Sequence, residues 1–146
     1  MKPNAIFWFR RDLRLYDNHG LFKVLKNYKN VLPIFIFDPE ILDKLPKDDA
    51  RVNFIYNQLK SLNESLEKNQ KINTYYGRPE QIFKKLISDF PIEFVYTNHD
   101  YEPYAIARDK AIKSLLNEIS IGFKSFKDQV IFERNEVTKD DGLPYK

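Results

Sequence analysis

The chain has 146 residues, 42% of them hydrophobic and 31% charged, with a formal net charge of +3 and no cysteine. This is one domain of ordinary globular composition, and it excludes a disulfide scaffold, a thiolate metal site and a cysteine nucleophile. With only two histidines, His19 and His99, far apart in sequence, a histidine-rich metal centre is not expected either.

The isoelectric point near 8.9 is mildly basic. Lysines are mixed with Glu and Asp as on most solvated surfaces, so charge neither supports nor excludes a nucleic-acid partner. Twelve Phe and nine Tyr are many for this length; a Phe-rich core is the ordinary explanation and a flat aromatic ligand pocket the sharper one. No apolar segment precedes the first strand and no run approaches membrane-spanning length, so a soluble, cytoplasmic protein with no membrane partner is expected.

Ala5-Ile6-Phe7-Trp8-Phe9 has the aromatic and branched content of a buried strand. Polarity then reverses: Arg10, Arg11, Asp12 and Arg14 fall within five positions. Asp17 and Asn18 are good N-caps for a helix carrying Leu21, Val24 and Leu25 inward. Val31 to Phe37 is a near-continuous apolar run, as in a strand covered on both faces. Pro33 cannot donate to a ladder and belongs near the strand's start or opposite a gap in pairing. Asp38-Pro39-Glu40 ends the run, residues 41–49 read as a polar loop, and a helix over roughly 50–68 shows Val52, Ile55, Leu59, Leu62 and Leu66 at helical spacing. Arg51 lies at its first turn, an unfavourable place for a cation against the helix dipole.

A third strand, Lys71 to Tyr76, closes at Gly77. Pro79 suits the first position of a helix that carries Ile82, Phe83, Leu86 and Ile87. Pro91 to Thr97 is the fourth strand. After the loop Asn98 to Glu102, Pro103 opens another helix, with Tyr104, Ala107, Ala111 and Leu115 on one stripe. Ile119–Phe126 and Gln129–Phe132 read as short strand pieces, and residues 136–142 as a polar turn.

Strand and helix thus alternate throughout, which predicts an α/β, Rossmann-like, doubly wound five-stranded parallel sheet, order 3-2-1-4-5, with helices on both faces. The ligand crevice of such a sheet opens where the winding reverses, between the loop after strand 1 (Arg10 to Arg14) and the loop after strand 4 (Asn98 to Glu102). Strand 2 beside strand 1 brings Asp38 to the same edge.

Four widely spaced glycines provide neither a G-x-G-x-x-G turn nor a P-loop, so a tight pyrophosphate cradle is not expected. Guanidinium groups stand in its place, suited to bidentate pairing with phosphate or carboxylate. The bland alternative is that these arginines pair with Asp12, Asp17 and Asp38 to fix the loop. That reading is favoured for Arg14 and Asp12, whereas Arg10 is open to either role. Asp100 and Glu102 could act as paired carboxylates or simply cap the next helix. Trp8, the sole tryptophan, suits core packing better than electron transfer. No nucleophile–base arrangement emerges, and on its residues alone the chain reads as a binding module.

The series Trp8-Phe9-Arg10-Arg11-Asp12-Leu13-Arg14-Leu15-Tyr16-Asp17-Asn18 resembles the opening signature of the DNA photolyase/cryptochrome family. The likeness continues through Leu32 to Pro39, Arg51 to Leu62, Asp100-Tyr101-Glu102-Pro103-Tyr104-Ala105 with Arg108-Asp109, Lys127 to Glu133, and Asp141 to Tyr145. It covers nearly the whole chain, and its first motif is highly specific.

The resemblance implies the N-terminal α/β domain of that family, spanning residues 1–132, with 133–146 starting an interdomain linker. In the family this domain houses or borders a light-harvesting antenna chromophore. The catalytic FAD, the electron-transfer tryptophans and the DNA-lesion groove belong to a larger C-terminal helical domain, absent here. The expectation is therefore a fragment, inactive alone, of a light-driven deoxyribodipyrimidine photolyase, with that helical domain and, through it, damaged DNA as partners. By resemblance, Arg10, Phe37, Asp38, Arg51 and Asp100 are the candidate lining residues for a deazaflavin or FMN antenna. Glu102 matches the carboxylate that helps hold methenyltetrahydrofolate in folate-using members. Arg51 would then face Asp38 or an anionic ligand, and Arg10, Asp38 and Arg51 would form one polar cluster. A cryptochrome photoreceptor domain and a stand-alone nucleotide-binding module are the alternatives.

Overall fold

The structure is a computed structural model that describes residues 2–10, 12–46 and 49–127. Gln129–Phe132 and the segment 133–146 lie outside the described residues. Strands β1 (Ala5–Phe9), β2 (Val31–Phe37), β3 (Asn73–Tyr76), β4 (Phe94–Asn98) and β5 (Gly122–Phe126) form one sheet in the order β3-β2-β1-β4-β5. Every neighbouring pair is parallel. The helices are α1 (His19–Asn27), the short α2 (Pro39–Leu42), α3 (Ala50–Ser65), α4 (Pro79–Asp89) and α5 (Pro103–Glu118). The predicted fold class and strand order are those observed.

β1 is central and wholly buried, and its alternating side chains divide the core. Ile6 and Trp8 join Ile34, Phe83, Leu86, Val95, Ile112 and Leu116 under α4 and α5. Ala5, Phe7 and Phe9 join Leu21, Val24, Phe35, Leu59 and Tyr96 under α1 and α3. A strand with period-two side chains feeding two separate cores must be apolar at every position. Each large side chain buried this way contributes roughly 1.5–3 kcal/mol of transfer free energy. Pro33 sits where β2 pairs with β1 alone, because the β2–β3 ladder begins at Ile34 opposite Asn73.

Several local expectations are corrected. Leu25 faces solvent, whereas Leu21 and Val24 are buried as expected and Gly20 joins them. The loop predicted over 41–49 begins as α2, because Asp38 caps Glu40 N at 3.0 Å and Pro39 takes a first-turn position. The helix predicted to residue 68 ends at Ser65. Asn63 draws the chain away there, accepting from Ile72 N at 2.7 Å and donating to Ile72 O at 3.1 Å. Those bonds also hold Ile72 outside the ladder, so β3 starts at Asn73. The inward stripe of α5 is rotated from the expected one: Ala105, Ile112 and Leu116 are buried, while Ala107 and Ala111 are exposed.

The start of α1 lies close against β4. A Cβ added to Gly20 would sit 2.6 Å from Asn98 Oδ1, 2.9 Å from Phe7 Cε1 and 3.2 Å from Thr97 O. Asn98 and Phe7 are both buried and cannot yield freely. Gly20→Ala is expected to destabilise the domain by about 1–3 kcal/mol through overpacking, read as a lower urea midpoint at unchanged slope. A midpoint equal to wild type would show that α1 can lift off β4 without penalty.

Candidate functional site

The crevice between the loops after β1 and β4 is filled on its α1 side by a polar latch. Asn98 accepts from Gly20 N at 2.8 Å and donates to Asp12 Oδ2 at 2.5 Å and to Asn18 Oδ1 at 2.7 Å. Asn18 in turn caps Leu21 N at 3.1 Å, and Asp12 accepts from Arg10 N at 2.9 Å. All three side chains are buried, and a bonded network is the form in which buried polar groups are tolerated. Asp12 therefore fixes the loop, as expected, and its partners among the described residues are the Asn98 and Asn18 side chains and the Arg10 backbone N–H. Arg14 donates to Asp17 O at 2.9 Å, next to the left-handed turn at Asp17 (φ 49°) that aims the chain into α1.

With that side closed, the open volume lies toward β2. A cavity of about 540 Å³ sits at the C-terminal edge of the sheet, bounded by β1, the end of β2, α2, and the starts of α3, α4 and α5. That volume is in the range of small-molecule pockets. Apolar wall comes from Phe35, Phe37, Ile41, Leu42, Val52 and Ile55, and polar wall from Arg10, Asp38, Asp100 and Arg108.

The polar side is dominated by four charges. Arg10 pairs with Asp109 and also donates to the Asn98 carbonyl. Arg108 donates from Nε to Asp109 Oδ1 at 3.4 Å and places Nη2 3.7 Å from Asp100 Oδ2. The side chains of Arg10, Arg108 and Asp100 are 6%, 8% and 7% exposed. Burial pushes the Arg108 pKa down, and the charge of Arg10 adds to that, while Asp109 and Asp100 oppose both. Nη2 of Arg108 is buried and makes no hydrogen bond among the described residues. Both guanidinium carbons lie over the Trp8 ring, at 4.9 Å for Arg10 and 4.8 Å for Arg108. At the far side, Tyr104 OH donates toward Asp38 and lies 3.1 Å from Glu40 Oε2. Burial and these two carboxylates push the phenol pKa up, so the hydroxyl stays protonated.

Comparison with known proteins agrees with this architecture. A family model described as DNA photolyase matches residues 5–146. The chain belongs to the DNA photolyase family. A deoxyribodipyrimidine photo-lyase of Synechococcus is 30% identical over 146 residues, covering 99% of this chain and 30% of the relative. Cryptochrome-1 of Gallus gallus is 31% identical over 122 residues, covering 83% of this chain and 20% of the relative. An archaeal photolyase from Sulfolobus tokodaii, solved with two FAD molecules, superimposes with a TM-score of 0.78 at 31% identity. That match covers 92% of this chain and 32% of the other. The chain thus spans a third or less of these relatives, and it corresponds to the N-terminal α/β domain of the photolyase and cryptochrome family.

In this photolyase-family domain, Arg10, Phe37, Asp38, Arg51, Asp100 and Glu102 all border this same cavity. The expected Arg10–Asp38–Arg51 cluster does not form. Asp38 is engaged by Tyr104 and by the α2 cap. Arg51 is 72% exposed and folds back on the α3 cap Asp49, with Nη2–Oδ2 at 2.7 Å and Nε–Oδ1 at 3.0 Å. An N-cap carboxylate offsets a first-turn cation locally, with no need for a distant partner. Glu102 is exposed at the rim and makes no side-chain cap; Asp100 Oδ1 accepts from Glu102 N at 3.2 Å instead. Missing from the expected site are Arg108, Asp109 and Tyr104. Their signal was present as an Arg-Asp pair interrupting the apolar stripe between Ala105 and Ile112, one position out of phase with the stripe expected.

Two outcomes follow from these pairs. Asp109→Ala leaves both buried guanidinium groups short of their shared carboxylate, and a loss of about 3–5 kcal/mol is expected in chemical denaturation; a loss below 1 kcal/mol would mean that water reaches the cluster. Asp49 is held at a pKa of about 2 by the Arg51 side chain and then by the Arg51 backbone N–H. Its native pKa is depressed, so its contribution is present above the ordinary carboxylate range and is lost as pH falls through about 2. Carboxyl NMR should show that titration, and Arg51→Met should move it upward.

Proposed function

We propose that the domain holds a flavin-type antenna chromophore, deazaflavin or FMN, in the cavity at the sheet edge. Residues 1–132 would form this antenna domain, and 133–146 would lead into a helical FAD-binding domain in a longer chain that repairs pyrimidine dimers in DNA under light.

The observation that carries the reading is the cavity's division into an apolar wall and a polar wall with a spare donor. A planar tricyclic ligand buries its faces against Phe35, Phe37 and Ile55. Its ring oxygens can take the donor capacity that Arg108 leaves unused. An under-bonded buried guanidinium is costly without such an acceptor. Apolar burial also suits the role, since excitation is lost where water and motion reach a chromophore. The Sulfolobus relative is described as holding two FAD molecules, with the implication of a novel light-harvesting cofactor. Methenyltetrahydrofolate is the less favoured ligand, because Glu102, the carboxylate that would hold it, sits at the rim rather than within the cavity.

The repair reading rests on the photolyase relatives; the cryptochrome relative supports a photoreceptor with the same domain. Repair of thymine dimers by the longer parent protein separates the two.

The 146-residue chain should bind FMN or a deazaflavin with a red-shifted, structured absorption band, and Val52→Trp, which fills the cavity, should lower affinity by about tenfold or more with little change in thermal stability. Equal affinity in wild type and Val52→Trp would place the ligand elsewhere, and absence of flavin binding with retention of the folate would reverse the choice of chromophore.

A further inference from the structure

We propose that Arg10 and Arg108 make Trp8 a poor electron donor, so that an excited flavin-type ligand in the cavity keeps its excitation instead of being quenched by the adjacent indole. The inference rests on the antenna reading above.

An indole beside an excited flavin is ordinarily a liability. One electron leaves the indole and enters the excited ligand, giving a tryptophan radical cation and a ligand radical anion; the pair then recombines and the excitation ends as heat. Trp8 is positioned for that loss. It is the only tryptophan in the chain, it borders the cavity, and it is held rigidly in β1, edge-on to Phe83 at 5.0 Å.

The charged groups over its ring are both cationic among the described contacts, with guanidinium carbons at 4.9 and 4.8 Å. Neutral indole attracts these cations through its negative π face. Removing an electron reverses that interaction, placing a third positive charge within about 5 Å of two others. Burial prevents water from screening the repulsion, since both arginine side chains are more than nine-tenths buried. Asp109 and Asp100 keep the arginines charged by pairing with them and offset part of the repulsion, but the guanidiniums are the charges that lie over the ring. Packing alone does not call for this arrangement: an apolar residue at 108 would continue the stripe of Ala105, Ile112 and Leu116 and bury Trp8 equally well.

The test uses the full chain with FMN as the probe, with binding measured first by ultrafiltration and the fluorescence lifetime of the bound fraction second. Wild type, Trp8→Phe and Arg108→Lys should share one lifetime. Arg108→Met should shorten it by roughly threefold or more, and Trp8→Phe added to Arg108→Met should restore it. An unchanged lifetime in Arg108→Met with FMN bound would overturn the inference while leaving the antenna reading intact. A severalfold longer lifetime in Trp8→Phe alone would do the same, because Trp8 would then already be quenching; this arm decides the matter where Arg108→Met fails to fold or bind. If wild type binds no FMN, the same lifetimes are read with a deazaflavin, and if it binds neither, the antenna reading falls and this inference with it.

Discussion

Two buried guanidinium groups paired with one buried and one half-buried carboxylate beside Trp8 are the constraint that the rest of the domain must satisfy. Bringing one such charge out of water is prohibitive unless it is paired. The pairing here is assembled from distant segments: Arg10 from the end of β1, Asp100 from the loop after β4, and Arg108 with Asp109 from the second turn of α5. None of the three segments can shift without leaving a charge uncompensated. The cluster therefore fixes where α5 crosses the sheet, and its weakest joint, the 3.7 Å approach of Arg108 to Asp100, is the one that borders the cavity.

The same logic explains where the cavity lies. A doubly wound sheet offers a crevice at its reversal point, and here that point is β1–β4. Asn98 is the last residue of β4 and closes it, with its amide spanning Asp12, Asn18 and the first turn of α1. A helix start so occupied has few free N–H groups left to offer an anion, which agrees with the missing glycine-rich turn. The opening moves one strand over, toward β2, where α2 and the start of α3 stand apart from α5. Its walls are thus mostly side chains rather than a glycine-rich backbone cradle, apolar on one side and charged on the other.

Most of the architecture was legible because it depends on pattern. Strand-like runs alternating with amphipathic helices leave few alternatives, and Pro33, Pro39, Pro79 and Pro103 stand where a missing donor does no harm. The site was legible only as a neighbourhood. Arg10, Asp38 and Asp100 were placed at one edge by topology, but their partners depend on side-chain reach, which spacing does not encode. Arg51 illustrates the limit: the dipole argument correctly marks its position as unusual, yet the nearest answer was Asp49, two residues away, and not Asp38 across the cavity. On α5, a choice of stripe one residue out of phase hid Arg108 and Asp109, because Ala107 and Ala111 are small enough to pass for core.

That helix shows why fold and chemistry are hard to separate in this domain. Its last two turns present Ile112 and Leu116 to the core beneath α4, while its first two present Tyr104, Ala105, Arg108 and Asp109 to the cavity and the charge cluster. The inward face changes from polar to apolar without a break in the helix. An apolar residue at position 108 would pack against Trp8 and remove a desolvation penalty, so stability alone selects against arginine there. What the arginine adds is a fixed positive charge at the boundary between an aromatic ring and an open cavity. Through Asp109 and Asp100 that charge also ties α5 to the ends of β1 and β4, so the stability given up in the core is returned as a fixed helix crossing and a charged wall on the cavity.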